Sequence, residues 1–166
     1  MKTILLNYTL YNHWANSRLI NIIKTSAMSL LDIETKSSFN TIRKTLYHIM
    51  GTEEIWYKRL NGESINYWPG DKFVGTLEEF TNRFLKGSLL LKNYVESRSS
   101  EELSSMLIYK NMSGNEFQNR IYNIIQHCVN HSTHHRGQLY TMMRSVGITG
   151  LQSIDYITFV REIPGE

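Results

Sequence analysis

The C-terminal third of the chain carries an apolar repeat long enough to fix the fold. Apolar or small side chains recur there alternately four and three residues apart, at Ile121, Ile125, Cys128, Ser132, His135, Leu139, Met142 and Val146. This spacing keeps the residues on one face of an α-helix. The sequence therefore predicts one long helix over residues 119–145 that buries a narrow seam against neighbouring helices.

Three further segments show helical spacing, over residues 5–29, 38–60 and 76–97. Thr76 is a good N-cap for the third, since acidic side chains follow it in the first turn. Residues 106–109 and 117–122 flank a turn near Ser113 and Gly114, which predicts a short hairpin before the last helix. We predict an all-α fold, an antiparallel four-helix bundle with this small hairpin, in which residues 1–166 form a single domain. The apolar tail, residues 154–160, should pack back on the bundle.

Charge and composition exclude several function classes. The 18 basic and 15 acidic residues are interspersed, so we expect no nucleic-acid partner. No apolar run approaches the length of a membrane span, and we expect no membrane partner. The start of the chain is apolar for too few residues to be a secretory signal. Cys128 is the one cysteine, so no internal disulfide can form, and we expect a cytoplasmic protein.

Two histidines on the predicted last helix indicate chemistry. His131 and His135 lie four residues apart, which puts both imidazoles on one helix face. Such a pair can share one metal ion. His135 falls in the buried seam and His131 lies beside it, so both rings need partners. The alternative interpretation is two histidines satisfied by ordinary hydrogen bonds.

A third ligand is required for a catalytic metal site, and spacing alone leaves it open. His127 lies on the same straight helix and would spread the donors along its axis, while His134 points about 100° away from His135. His48, on the second predicted helix, can meet the pair across the core. The remaining candidates are His13, Glu53 and Cys128.

Other catalytic motifs are missing from the sequence. It contains no Glu-x-x-His pair, no His-Glu-x-x-His, no P-loop, no Gly-x-Gly-x-x-Gly and no Gly-x-Ser-x-Gly. Cys128 on a helical seam is interpreted as a packing residue. The aromatic residues of the segment 62–75, Tyr67, Trp68 and Phe73, either cover the end of the core or line the mouth of a pocket, and we favour the first interpretation.

Four stretches resemble the DinB-like superfamily, which includes the YfiT-like metal-binding proteins. The stretch Leu-Tyr-His-Ile-Met-Gly-Thr-Glu-Glu-Ile-Trp around His48 resembles the family's second-helix motif. The stretch His-x3-His-x3-His-Arg-Gly-Gln, which begins at His127, resembles its fourth-helix motif. The segments 11–16 and 155–159 resemble its first-helix and C-terminal motifs. The resemblance implies a four-helix bundle that binds one divalent metal, nickel or zinc, through His48, His131 and His135. It also implies a homodimer.

The resemblance implies several activities. Some members are thiol-dependent transferases or isomerases, others are described as metal-dependent hydrolases, and many have no known activity. We expect an enzyme with an open metal site acting on a small molecule, such as a low-molecular-weight thiol. Glu53 is the candidate catalytic base; it could instead orient an imidazole, or reach solvent or an arginine. Arg136 and Gln138 either hold the motif in place or contact substrate.

Two alternatives to an enzyme stay open. The first is a non-catalytic metal-binding or stress-response protein with a structural site. The second is a helical interaction module without a metal.

Overall fold

Four long α-helices form the body of the protein, which we describe from a computed structural model over residues 1–71 and 73–163. The elements in chain order are α1 (Lys2–Thr25), a 3-10 helix (Met28–Asp32), α2 (Ile42–Leu60), α3 (Leu77–Ser97), α4 (Ser100–Ser104), β1 (Met106–Lys110), β2 (Glu116–Arg120), α5 (Ile121–Ser145) and α6 (Tyr156–Glu162). The predicted four-helix bundle with a hairpin before its last long helix is confirmed. The short helix α4 was not predicted.

The predicted helix ends differ from the observed ones where local capping decides them. The first helix ends at Thr25, four residues early, because Ser26 is extended and a 3-10 helix follows. The second begins at Ile42, because the side chain of Thr41 accepts a hydrogen bond from the Lys44 amide. Thr76 caps α3 as predicted, in a capping box with Glu79.

Contacts between helix ends establish the antiparallel pairs. Near the start of α1, Lys2 donates to the Glu96 carbonyl near the end of α3, at 2.8 Å. Near the start of α2, the Thr45 hydroxyl lies 3.6 Å from the Met142 sulfur near the end of α5. Helix α1 also packs against α5, and α2 against α3, which closes the bundle.

The adjacent helices α2 and α3 run in the same direction. Tyr47 packs on Phe80 with ring centroids 5.0 Å apart, and further along both helices, by seven residues in α2 and three in α3, Glu54 pairs with Arg83 at 2.6 Å. Two parallel neighbours cannot be joined by a tight turn, so the connection between them, described over residues 61–71 and 73–76, must return along the side of the bundle. This return brings the aromatic loop past the first half of α2.

A buried polar layer divides the core into two apolar clusters. One cluster is built mainly from the second half of α1 and the first halves of α2 and α3, and the other from the opposite halves of α1 and α3. Helix α5 contributes to both. Between them lie polar side chains that are at most 1% exposed: Asn12, Asn16, Glu53, Ser88, Ser132 and Arg136.

The hairpin and the C-terminal helix cover opposite parts of the bundle. Strands β1 and β2 pair antiparallel, and Gly114 in their turn has φ 84°, a conformation that favours glycine. The Lys110 amide donates to the Ser64 hydroxyl, which ties the hairpin to the loop after α2. Phe159 of α6 packs on Tyr11, confirming that the tail returns to the bundle. Within the described residues, no helix combines the length and apolarity needed to cross a membrane.

Candidate metal centre

Three histidines converge where α2 faces the middle of α5. One nitrogen from each of His48, His131 and His135 lies within 4.8 Å of the others. The Nε2 atoms of His48 and His131 are 2.9 Å apart. A tetrahedral ion with metal–nitrogen distances of about 2.1 Å would hold its donors about 3.4 Å apart. The observed arrangement is therefore close to that of a three-imidazole site, and it includes the third ligand that spacing alone could not choose.

Ordinary hydrogen bonding does not satisfy this histidine cluster. The contact between His48 and His131 needs one ring to donate to the other, and within the described residues Nδ1 of His131 is buried without a partner. Buried polar atoms in folded proteins nearly always have partners. Since Nε2 of His131 faces the cluster, a bound ion would leave Nδ1 as it is, and the case for a metal rests on the convergence of the three rings. The donor chemistry fits a divalent transition metal.

The environment keeps the three imidazoles neutral. Burial, reinforced by the neighbouring His135, lowers the pKa of His48 to about 4. Burial and the adjacent imidazoles lower the pKa of His131 to about 3. Burial also lowers the pKa of His135, against the opposing effect of its hydrogen bond to Gln138. At neutral pH each ring therefore has a free lone pair, the form that binds metals.

Gln138 determines the tautomer of His135. Its Oε1 lies 2.8 Å from Nδ1 of His135, and since an amide oxygen only accepts, Nδ1 carries the proton. The lone pair of His135 is then on Nε2. The Gln138 amide nitrogen donates to the Ser38 hydroxyl at 3.1 Å, which holds the amide in this orientation. Gln138 thus holds the motif in place, the first of the two roles considered for it.

Two aromatic rings from outside the bundle helices contact His48. Phe39, in the segment before α2, lies 4.2 Å from it between ring centroids, and Trp68 stacks on it at 5.1 Å with an interplanar angle of 17°. Trp68 can approach so closely because residues 51 and 70 are glycines; a Cβ on Gly70 would lie 2.8 Å from the indole nitrogen. The returning loop therefore forms a wall of the candidate site.

The aromatic loop contributes to both the core and the site. Phe73 packs on Tyr47 and Phe80, as expected for a cover over the core. Trp68 instead lines a cavity beside His48. The two interpretations of the loop apply to different residues.

The remaining candidate ligands lie outside the cluster. His13 is bonded to Ser88 between α1 and α3, and His127 and His134 are exposed on α5. Nε2 of His134 accepts a hydrogen bond from the Gln138 amide nitrogen at 3.2 Å. Cys128 is fully buried, and burial raises the pKa of its thiol well above the ordinary value. A thiol in that environment is a packing residue and a poor nucleophile.

Glu53 is at the centre of the polar layer. Its Oε1 accepts hydrogen bonds from the Asn12 and Asn16 amides, at 2.8 and 3.0 Å, and from the Ser132 hydroxyl at 2.8 Å. The side-chain oxygens of the same two asparagines accept from Nη1 of Arg136, at 2.6 and 2.8 Å. The two asparagines therefore bridge a buried carboxylate to a buried guanidinium.

This arrangement gives Glu53 and Arg136 a structural setting. Glu53 is 1% exposed and makes no hydrogen bond to a cluster histidine; it neither reaches solvent nor touches an arginine directly, because Asn12 and Asn16 lie between it and Arg136. The sequence analysis did not identify the bridging role of Asn12 and Asn16, although both lie in the segment 11–16 that resembles the family's first-helix motif. Their four-residue spacing on a predicted buried face was the available signal.

The fold and the site together define a class: a four-helix bundle with three clustered histidines that could hold a metal ion. The sequence profile of the DinB family matches residues 1–162, and the chain belongs to this family.

A curated relative and a solved structure support the assignment. The chain is 25% identical to Protein DinB of Bacillus subtilis (strain 168) over 144 residues, which is 82% of this chain and 83% of that protein. A crystal structure of a DinB-like protein from Bacillus cereus ATCC 10987 superposes with a TM-score of 0.67, covering 90% of this chain and 94% of that one, at 15% sequence identity. At that identity the structural likeness supports the fold alone.

Proposed function

We propose that the protein binds one divalent transition metal, nickel or zinc, through His48, His131 and His135, and that it uses the metal in catalysis on a small molecule. The observation that carries the proposal is the convergence of three neutral imidazoles from α2 and α5, with one nitrogen of each ring within 4.8 Å of the others. Three protein ligands are typical of catalytic sites, which keep a position for water or substrate.

The proposed reaction class is transfer of a low-molecular-weight thiol to an electrophile, with hydrolysis as the second candidate. A bound divalent ion would supply Lewis acidity to a thiol or water that reaches it. The chain itself would supply fixed donors, because Gln138 holds His135 in one tautomer. Phe39 and Trp68 would shield His48 from bulk water.

We propose for Glu53 a positioning role. Its three hydrogen bonds link α1, α2 and α5 one to two turns from the cluster, and they keep His48 and His131 in register.

Metal analysis of the histidine variants tests the ligand set. We expect untagged protein to bind about one equivalent of zinc or nickel, and His48→Ala, His131→Ala and His135→Ala each to lose tight binding, because two imidazoles leave the ion mostly solvated. His127→Ala and His134→Ala are matched controls from the same helix and should keep it. An unchanged metal content in His48→Ala would show that His48 is not the third ligand. If the parent protein took up neither zinc nor nickel, the metal site would be refuted.

Activity is tested separately on the metal-loaded protein. A panel of thiols is assayed against a chromogenic electrophile, with the His48→Ala protein as the control for background reaction. A metal-dependent rate with at least one thiol would support the transferase. Tight metal binding without any such rate, and without hydrolysis of ester or amide substrates, would favour the non-catalytic metal-binding alternative.

Assembly as a homodimer and a cytoplasmic location remain predictions. The first is measured by light scattering of the purified protein.

A further inference from the structure

A buried arginine without an acidic partner among the described residues lies on the same helix as His48. Arg59 is 7% exposed, and within residues 1–71 and 73–163 its side chain makes no hydrogen bond and no ion pair. Its guanidinium group lies over the rings of Trp56 and Tyr109, at 4.5 and 5.3 Å from the centroids. Arginine is rarely this buried unless it is paired.

Arg59 has two structural interactions, and they leave its hydrogen-bonding capacity unused. It lies in the last turn of α2, where the helix dipole favours a cation. Stacking on aromatic rings also stabilises the guanidinium charge. Neither interaction occupies an N–H group, and a guanidinium carries five of them in a planar fork that matches carboxylate and phosphate.

The same arginine lines a cavity of about 280 Å³ between α2 and the turn of the hairpin. The walls come from α2, from Trp68 of the returning loop, and from the hairpin residues Asn111, Met112 and Ser113. The hydroxyl of Thr52, which also lines the cavity, is buried and unpartnered among the described residues. The cavity therefore contains two unused polar groups, one of them cationic.

The cavity adjoins the candidate metal centre through one shared residue. Trp68 stacks on His48 and also lines the cavity. His48, Thr52 and Arg59 follow one face of α2, and the separation of His48 and Arg59 corresponds to a rise of about 16 Å. Both side chains lean toward the N-terminus of α2, so the guanidinium group and the imidazole stay roughly 15 Å apart.

We propose that this cavity is a substrate subsite, in which Arg59 binds an anionic oxygen group, a carboxylate or a phosphate, of the small molecule whose reacting end reaches His48, His131 and His135. Thr52 donates a second hydrogen bond to the same group. The link to the reacting end rests on the proposed metal function, whereas anion binding in the cavity does not.

Anion binding is tested on metal-free protein, so that it is independent of the centre. Trp56 and Trp68 line the cavity, and their fluorescence is followed during titration with succinate and with inorganic phosphate at low ionic strength. Succinamide serves as the uncharged control. We expect a saturable response to at least one anion and none to succinamide, and the preferred anion distinguishes the two chemistries.

Variants separate anion binding from a purely structural role of Arg59. Arg59→Met keeps the aliphatic stem and should weaken binding at least tenfold, while Arg59→Lys should retain part of it. Thr52→Val removes only the unpartnered hydroxyl and should weaken binding severalfold without lowering the thermal midpoint. Arg83→Met, which removes an arginine already paired with Glu54 at the other side of α2, should change nothing. Equal anion affinity in Arg59→Met and the parent, or no saturable response, overturns the proposal.

The connection to the metal is tested with cobalt-loaded protein, whose absorbance reports thiol coordination. Mercaptododecanoate has a sulfur-to-carboxylate span of about 15 Å, matching this separation, and mercaptododecanol is its neutral counterpart. We expect the acid to bind at least tenfold more tightly, and Arg59→Met to remove this preference. Equal binding of both thiols by the parent protein overturns the link. If neither thiol perturbs the cobalt spectrum while the anion titration succeeds, the proposed thiol chemistry fails and the cavity is not its subsite.

Discussion

The buried network between α1, α2 and α5 predicts a large energetic coupling between Glu53 and Arg136. Arg136 is fully buried and donates three hydrogen bonds, two to Asn12 and Asn16 and one to Thr133 at 2.8 Å. In Arg136→Met these acceptors lose their donors, and the carboxylate of Glu53 loses the nearby cation. Breaking a buried ion pair by removing one partner typically costs about 3–5 kcal/mol.

The complementary substitution removes the negative charge and keeps the shape. Glu53→Gln can still accept at its amide oxygen from the asparagines and Ser132, but it leaves the Arg136 charge uncompensated. We expect a cost of about 2–4 kcal/mol. If the two charges acted independently, the double variant would lose about 5–9 kcal/mol.

Coupling makes the double variant less damaged than this sum. Glu53→Gln with Arg136→Met has no buried charge, so the penalty for an uncompensated charge disappears. The expected coupling energy is at least about 2 kcal/mol. Urea unfolding of metal-free protein, followed by far-ultraviolet circular dichroism, measures all four free energies of unfolding.

A half-buried ion pair with direct contact to solvent provides the control, and additivity of the two substitutions would refute the coupling. The same cycle on Glu54 and Arg83 should give less than about 1 kcal/mol, because that pair is partly solvated. Additivity within about 0.5 kcal/mol at Glu53 and Arg136 would mean that the asparagine bridges do not transmit charge compensation. The positioning role proposed for Glu53 would then lose its basis.

Two further predictions concern the candidate metal centre. Gln138→Leu removes the acceptor for the Nδ1 proton of His135, so we expect the metal affinity to fall about 10- to 100-fold in a calorimetric titration. Gln126 is an exposed glutamine of the same helix, and Gln126→Leu serves as the control. Metal-free protein should lose stability as the pH falls below about 6.5, since His48 and His131 bind protons more weakly when folded, with pKa values of about 4 and about 3, than when unfolded. Between pH 6.5 and about 3 the folded state then binds fewer protons than the unfolded state, so the free energy of unfolding is highest above pH 6.5 and falls steadily as the pH is lowered through this range. A urea midpoint that does not change between pH 7.5 and pH 5 would contradict the burial of these rings.

The helices and the two clustered histidines of α5 were predictable because they follow from local periodicity. The seam of the last helix placed His135 inward and His131 beside it, and the structure has His135 buried and His131 half-buried. Choosing His48 needed more than spacing, since any histidine on a facing helix satisfies the same pattern. The resemblance of its surrounding motif supplied that choice, and the 2.9 Å contact to His131 now agrees with it.

Contacts that depend on long-range packing were not predictable. Phe39 and Trp68 come from connecting segments, where periodicity gives no information about which surface a side chain meets. The pairing of Asn12 and Asn16 with both Glu53 and Arg136 depends on the relative heights of three helices. Helix spacing fixes which face is buried, but it does not fix how far one helix slides along another.

The parallel arrangement of α2 and α3 connects these unpredicted features to the candidate site. A loop between antiparallel neighbours could turn within a few residues and would stay at one end of the bundle. Because α2 and α3 run the same way, the connection must cover the length of α2, about 28 Å. It passes beside Gly51, where the missing side chain admits Trp68, and so the indole reaches both His48 and the cavity that contains Arg59. The topology of the bundle, rather than a local motif, therefore gives the candidate metal centre its neighbouring pocket.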